Sequence, residues 1–383
     1  MLGPRATGAG TGMNAGTGRA PHTAAGAAAA VEAVLAEHLG GRLREARRVD
    51  PVFAEEVASR VAAFVLRGGK RLRTSFVWCG WLAAGGPGDA GTPLRVGAAL
   101  ELLQACALVH DDVMDRSPLR RGAHAVHADF ARMHRAGRMY GSVESWSVNA
   151  AVLAGDLALA WADDLLTETA LSSPYGERLH QEWKAMRAEM VAGQYLDVRA
   201  QATGASDPAQ ARNIATLKSA LYTVERPLAL GAVLAGAGAE AVDGLRAAGR
   251  CVGLAFQLRD DLLGAFGDPA VVGKPTDEDL RARKLTYLLA VAHRLATESG
   301  DTDALAVLGP GGAAPGGETV HLMRAALERT GARAVVEEEI AALSASGLRL
   351  FAATGADARA RREFASLVAR AVGTAAVRGG EGE

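Results

Sequence analysis

The chain has 383 residues, 49% hydrophobic and 22% charged, which is enough for one large globular core. Its 42 Lys and Arg residues nearly balance 43 Asp and Glu residues, and only 5% of the residues are aromatic. This composition argues against the broad basic surface and the stacking platforms that are typical of nucleic-acid-binding proteins, so we expect no nucleic-acid partner.

The cysteines and the hydropathy pattern bear on the cellular compartment. Cys79, Cys106 and Cys251 are far apart and odd in number, which favours a reducing compartment over a disulfide scaffold or a structural zinc site. The most apolar run, 150–166, is interrupted by aspartates and is shorter than the roughly 18 residues that a membrane span needs. The N-terminus lacks the compact apolar stretch of a signal peptide. The sequence therefore predicts a cytoplasmic protein without an integral membrane segment.

Helical patterns dominate the chain after its N-terminus. Residues 1–28 are rich in Gly, Ala and Thr and are predicted to form a disordered tail, with a targeting segment as the alternative. One domain is predicted over 29–375, followed by a disordered tail at 376–383. Strong helix formers fill the stretches 91–115, 147–170, 177–202, 210–237 and 240–266. Because no alternating β-branched runs are found, we expect an all-α fold, a single large helical bundle around a central apolar cavity.

Acidic residues end the helix predicted over 91–115. Asp111 and Asp115 lie about 40° apart on one helix face, with Asp112 beside them. Carboxylates this close repel one another, and burying them without compensation is costly. A hard divalent cation such as Mg²⁺ resolves that cost. The alternative is a solvated acidic helix end.

A second acidic pair, Asp260 and Asp261, also ends an apolar helix and follows Gln257. If the two helix ends face each other across the bundle, their carboxylates can hold a small cluster of Mg²⁺ ions.

Basic residues are grouped near turns. Two glycines precede Lys70 and Arg73, which share a helix face, so this turn is a candidate phosphate cradle. Arg120 and Arg121 follow the first acidic motif closely enough to serve the same pocket. Three more candidate cations are Lys218, Lys274 and Lys284, although each alone is more typical of a solvated surface.

Taken in order, these motifs resemble the trans-prenyl diphosphate synthases, also called the polyprenyl synthetase family. The resemblance extends over about residues 31–370. The segments that carry it are 68–73, 101–104, 111–115, 120–122, 155–156, 193–197, 218–219, 257–261, 273–274 and 284–286.

The resemblance implies roles for individual residues in a bundle of the isoprenoid synthase type. Mg²⁺, about three ions per active site, is expected on five carboxylates: Asp111, Asp112, Asp115, Asp260 and Asp261. The allylic diphosphate is expected on Arg120, Lys218, Gln257 and Lys274. Ser219 and Lys284 are also expected to bind substrate. Isopentenyl diphosphate is expected on Lys70, Arg73, Gln104 and Arg121. The resemblance also implies a homodimer.

The implied reaction joins isopentenyl diphosphate head-to-tail to a dimethylallyl, geranyl or farnesyl diphosphate by ionisation, condensation and elimination. Asp111, Asp112, Asp115, Arg120, Lys218, Asp260 and Asp261 are the expected catalytic residues. The departing diphosphate is the expected proton acceptor, in keeping with a sequence that has no Ser/His/Asp set.

Product length is expected to depend on the helix before the first acidic motif. Cys106 and Ala107 are too small to close a tunnel about 6–8 Å from the metals. We therefore expect its floor at Leu103, Leu100 or a neighbouring helix, and geranylgeranyl diphosphate as the product. Farnesyl and longer products are the alternatives.

Some positions depart from the family pattern. Gly264 stands where the second acidic motif usually ends in Asp, and Asp268 is a candidate replacement. His124 and Ala125 replace the usual Pro and Ser or Thr, and Ser219 replaces Thr.

Two other function classes are the alternatives to a prenyl diphosphate synthase. A class I terpene cyclase would need a downstream metal motif that is missing. A non-catalytic partner subunit would tolerate the loss of acidic ligands, but the first motif is complete.

Overall fold

Helices make up almost all of the regular structure. The computed structural model describes residues 21–87, 89–267, 277–309 and 316–373. The first half contains α1 (Ala24–Val49), α2 (Pro51–Phe53), the π-helical turn π1 (Ala54–Ala58), α3 (Ser59–Leu66), α4 (Leu72–Ala83), α5 (Gly91–Met114), a hairpin of β1 (Leu119–Arg120) and β2 (Ala123–His124), α6 (Val126–Ala136) and α7 (Val143–Leu171).

The second half continues the bundle. It contains α8 (Gly176–Thr203), α9 (Pro208–Ala215), the π-helix π2 (Thr216–Glu225), α10 (Arg226–Leu234), α11 (Ala239–Phe266), α12 (Glu278–Arg281), α13 (Tyr287–Ser299), α14 (Thr302–Leu308), α15 (Gly317–Arg329), α16 (Ala332–Ala353) and α17 (Ala358–Val372). The all-α prediction is confirmed, since the two-residue strands of the hairpin are the only strands among the described residues. The predicted helix at 210–237 is divided, because its middle third is π-helical.

The first helix begins earlier than the sequence pattern predicts. The Thr23 hydroxyl accepts a hydrogen bond of 2.9 Å from the backbone N–H of Gly26, which caps α1 at Ala24. The N–H of Ala24 donates to Glu363 of α17 at 2.7 Å. The predicted boundary of the N-terminal tail at residue 28 is therefore wrong. Alanine is the strongest helix former, and burial of this Ala-rich turn fixes it. Residues 1–20 and 374–383 lie outside the described residues, so disorder there stays a prediction.

The core is organised around α5 and π2. Helix α5 packs most extensively against α7, and Leu100, Leu102 and Leu103 are fully buried. Two glycines let neighbouring helices touch the backbone of π2. A Cβ at Gly193 of α8 would lie 2.2 Å from the backbone nitrogen of Lys218, and one at Gly253 of α11 would lie 2.3 Å from the Ala220 carbonyl. Larger residues there would push α8 and α11 away from π2.

Helix α5 is also the described helix that is long and apolar enough to cross a membrane, rather than the segment 150–166. However, 72% of its most apolar stretch is buried inside the protein. Burial on this scale is what the core helix of a globular bundle shows.

A buried ion-pair network joins four helices near the N-terminus of α4. Arg71 adopts the left-handed conformation, with φ of 46°, directly before α4. Its guanidinium donates to Glu32 of α1 at 2.7 Å, to Glu101 of α5 at 2.8 Å and to the Val65 carbonyl of α3 at 2.8 Å. The sequence pattern alone does not indicate this role for Arg71. In the fold it is a structural residue within the predicted phosphate cradle.

Replacing Arg71 is expected to destabilise the fold. Arg71→Ala leaves Glu101 buried without its counter-ion, which typically costs about 3–5 kcal/mol. The free energy of unfolding in urea, followed by circular dichroism, measures the loss. Arg329→Ala is the control, because it removes only a half-exposed partner of Asp301 and should leave the free energy of unfolding nearly unchanged. Equal losses in the two variants would contradict a special role for Arg71.

Candidate active site

The first acidic motif occupies the last turn of α5. Asp111 and Asp112 lie inside the helix, and Asp115 is its C-cap residue. After the cap, Arg116 takes a φ of 56° and the N–H of Ser117 donates to the Asp112 carbonyl at 3.0 Å. The chain therefore turns back on the helix end, and the β1–β2 hairpin brings Arg120 to the carboxylates.

Arg120 from this hairpin faces the fully buried Asp112. Its Nε donates to Asp112 Oδ1 at 2.8 Å, and its Nη2 reaches Asp112 Oδ1 and, at 3.5 Å, Asp111 Oδ2. Asp112 Oδ2 has no hydrogen-bond partner. Burial raises the pKa of Asp112 to about 6, although Arg120 opposes the shift.

Two lysines from distant parts of the chain hold the other two carboxylates. Lys218 Nζ of π2 lies 3.3 Å from Asp111 Oδ1 and 2.6 Å from Asp197 Oδ2 of α8. Lys284 Nζ, which follows α12, lies 2.5 Å from Asp115 Oδ2. Burial by itself would raise the pKa of Asp111, but the nearby cations outweigh burial and lower it. The pKa of Asp115 is raised, first by burial and then by the charge of Asp111.

The second acidic motif lies near the end of α11. Asp261 is buried and accepts a hydrogen bond of 2.8 Å from Gln257 Nε2, one turn earlier. Burial raises the pKa of Asp261 to about 7. Asp260 is half-buried on the same helix. Gln257, predicted as a diphosphate contact, thus bonds Asp261 in this state.

The predicted metal ligands do not form a ready-made cage in this state. Within the described ranges, no three His, Cys, Asp or Glu side chains come close enough to hold one ion. Instead, Arg120, Lys218 and Lys284 each contact a carboxylate of the first motif. The chemistry of the site still fits a divalent cation, because its carboxylates outnumber these cations and the buried Asp112 Oδ2 has no partner.

A basic cluster of Arg73 and Arg121 lies beside the Gly68–Gly69 turn. The Arg73 guanidinium stacks 4.0 Å above the Tyr222 ring and donates to Thr223 Oγ1 at 2.9 Å. Arg73 Nε is buried without a hydrogen-bond partner. Arg121 donates to the Gly68 carbonyl, and a Cβ at Gly69 would lie 3.1 Å from its Nη2.

Gln104 joins this cluster to π2, because its Oε1 accepts a hydrogen bond from the Tyr222 hydroxyl. Lys70 is exposed, and Ser219 is half-buried and follows Lys218 in the chain. Lys274 and Asp268 lie outside the described residues, so their roles stay predictions.

The residues that were expected to control product length lie on different faces of α5. Cys106 Sγ is 3.7 Å from His110 Nδ1, and the His110 ring fills the space above Gly155 of α7. Ala107 is half-buried, three residues after Gln104 and four before Asp111, and so shares their face. Leu103, one turn deeper than Ala107, is fully buried.

Tyr222 and Thr223 were missed by the sequence analysis. Both lie on π2, within five residues of Lys218, and position Arg73 and Gln104. The signal that would have found them is this spacing, because residues one helical turn from a predicted site residue share its surroundings.

Known proteins are similar to this chain in sequence. The polyprenyl synthetase family pattern matches residues 55–315. The geranylfarnesyl diphosphate synthase of Aeropyrum pernix is 32% identical over 249 residues, which cover 63% of this chain and 71% of that protein. The (2E,6E)-farnesyl diphosphate synthase of Mycobacterium tuberculosis is 35% identical over 228 residues, which cover 59% of this chain and 57% of that protein.

A solved structure is similar as well. It is a geranylgeranyl pyrophosphate synthase from Corynebacterium glutamicum, complexed with isoprenyl diphosphate and magnesium. The TM-score is 0.85 at 36% identity, covering 90% of this chain and 98% of that chain. With the family pattern matched over most of its length, this chain belongs to the polyprenyl synthetase family and is a transferase of the trans-prenyl diphosphate synthase type.

Proposed function

We propose that this protein condenses isopentenyl diphosphate with an allylic diphosphate and releases inorganic diphosphate, with geranylgeranyl diphosphate as the main product. The observation that carries the proposal is the pairing of two different charged regions. One holds carboxylates and cations at the ends of α5 and α11, and the other is the basic cluster of Arg73 and Arg121. π2 contacts both regions through Lys218 and Tyr222.

The acidic region suits the allylic substrate. Mg²⁺, when bound to these carboxylates, neutralises the charge that develops on the diphosphate as it leaves. Arg120 and Lys218 would turn from their carboxylates to the diphosphate oxygens, and Lys284 is placed to do the same. We expect about three Mg²⁺ ions on the five predicted aspartates, with Asp261 joining after its bond to Gln257 opens.

The basic cluster suits the second diphosphate without a metal. The unpartnered Arg73 Nε and the Arg121 guanidinium provide charge-assisted donors. Lys70, which is exposed and lies three residues before Arg73, adds a further cation. The C–O bond of the allylic substrate breaks, and the double bond of isopentenyl diphosphate forms the new C–C bond. The isopentenyl unit then loses a proton to the released diphosphate, so the chain need not provide a general base.

We further propose a homodimer in the cytoplasm. Leu153 of α7 and Val191 and Tyr195 of α8 are each more than 60% exposed, on two helices that pack together. A partner subunit would remove this apolar surface from water. Cys79, Cys106 and Cys251 are free thiols, which suits a reducing compartment. Light scattering of the purified protein and cell fractionation measure these two properties.

Replacing Asp112 is expected to abolish most turnover. Asp112→Ala removes a predicted metal ligand and the partner of Arg120, so kcat should fall by several orders of magnitude. The assay uses Mg²⁺, isopentenyl diphosphate and radiolabelled allylic substrates, with circular dichroism to confirm folding. Asp164→Ala, on the exposed side of α7, is the control. Near-normal turnover of the Asp112 variant at saturating Mg²⁺ would show that Asp112 is not a metal ligand. An inactive wild-type protein would favour the alternative of a non-catalytic partner subunit.

Replacing Arg73 is expected to affect one substrate more than the other. Arg73→Ala should raise the KM for isopentenyl diphosphate roughly tenfold or more, because such charge-assisted contacts contribute about 1.5–3 kcal/mol. The KM for the allylic substrate should change much less, which makes it the internal control. Equal changes in both would argue against separate sites.

Two substitutions on α5 test the product length. Ala107→Phe should shorten the main product by at least one five-carbon unit, because it fills the face shared with Gln104 and Asp111. Leu103→Ala should lengthen the product by removing the predicted floor. Chromatographic sizing of radiolabelled products measures both. Cys106→Ser is the control, since Cys106 contacts His110. An unchanged product from an active Ala107→Phe enzyme would show that the tail follows another path.

A further inference from the structure

The space beside Gly264 on α11 is filled by a carboxylate from elsewhere in the chain. Gly264 is four residues after Asp260, so a side chain there would share the face of that aspartate. A Cβ built on Gly264 would lie 3.0 Å from Asp279 Oδ2. Asp279 of α12 therefore lies where the side chain of residue 264 would extend.

Asp279 is held in this place by its own segment. The backbone N–H of Lys284 donates to the Asp279 carbonyl at 3.0 Å, which closes the turn after α12. The neighbouring Leu280 is 4% exposed and anchors α12 in the core. The turn therefore ties Asp279 to Lys284.

The same segment links Asp279 to the first acidic motif. Lys284 Nζ lies 3.6 Å from Asp279 Oδ1 and 2.5 Å from Asp115 Oδ2. One ammonium group thus lies between a carboxylate of α5 and the carboxylate beside Gly264. In the same region the fully buried Asp112 Oδ2 has no hydrogen-bond partner, which leaves a carboxylate oxygen for a cation.

We propose that Asp279 supplies, from α12, the carboxylate that the second acidic motif lacks at Gly264. It acts with Asp260 and Asp115 in holding the divalent cations that accompany the allylic diphosphate. The inference rests on the proposed function, and it gives Asp279 the role that the sequence analysis considered for Asp268.

The first test measures metal binding without turnover. Mg²⁺ is titrated calorimetrically into the full-length protein in the presence of inorganic diphosphate. Asp279→Asn keeps the side-chain volume and removes the charge, so the apparent Kd for Mg²⁺ should rise about tenfold or more. Asp277→Asn is the matched control, because Asp277 lies in the same segment but pairs with Arg281 at 2.7 Å. Its Kd should stay at the wild-type value.

The second test adds the missing aspartate. In Gly264→Asp, two carboxylates would compete for one space, so Mg²⁺ binding should weaken rather than improve. Gly264→Ala adds only a methyl group against the flexible end of Asp279 and should change binding little. In Gly264→Asp with Asp279→Ala, one carboxylate remains and the space that Asp279 filled is free for it, so the Kd should return toward the wild-type value. This recovery is a coupling that a merely structural role would not produce.

The outcomes separate the inference from the proposed function. Wild-type Mg²⁺ affinity in a folded Asp279→Asn variant would overturn the role of Asp279 and leave the function intact. A double variant that binds Mg²⁺ no better than Gly264→Asp or Asp279→Asn alone would overturn it as well. If the Asn variant fails to fold, improved Mg²⁺ binding by Gly264→Asp alone would overturn the inference. A wild-type protein that neither binds Mg²⁺ with diphosphate nor turns over would instead overturn the function.

Discussion

The site depends on negative charge that is concentrated near the C-terminal ends of α5 and α11. A helix C-terminus already carries a partial negative charge, and burial makes further carboxylates there costly. The fold meets this cost with Arg120, Lys218 and Lys284, which come from the hairpin, from π2 and from the segment after α12. When divalent cations and substrate bind, these three side chains would exchange the carboxylates for new partners. The fold must therefore place Arg120, Lys218 and Lys284 near the carboxylates without holding them there permanently.

π2 sets the relative position of the two charged regions. Lys218 at its start contacts the acidic region, and Tyr222 one turn later contacts Arg73 and Gln104. π-helical segments are rare and frequently occur at functional sites, because the wider turn changes which side chains share a face. Gly193 allows α8 to pack directly against the π2 backbone. Two substrates held in fixed relative orientation react faster than free ones, which is a physical reason to keep this segment rigid.

The Gly68–Arg73 segment shows how structural and binding roles are interleaved. Arg71 is buried and joins α1, α3, α4 and α5, whereas Arg73, two residues later, keeps a donor without a partner. The two guanidinium groups contact different groups, because Arg71 bonds Glu32 and Glu101 whereas Arg73 bonds Thr223. A charge that holds the scaffold therefore lies next to a charge that is available for a ligand.

The sequence by itself determined the helices and the residue types of the site. Helical periodicity is local, so α5, α7, α8 and α11 could be predicted to within a few residues, as could the acidic motif at the end of α5. Only the tertiary structure decided the partners. Lys284 meets Asp115 across 169 residues and Lys218 meets Asp111 across 107, and no periodicity encodes such pairs. For the same reason Asp279 could not be found opposite Gly264 from the sequence, because the packing of α12 against α11 alone brings them together.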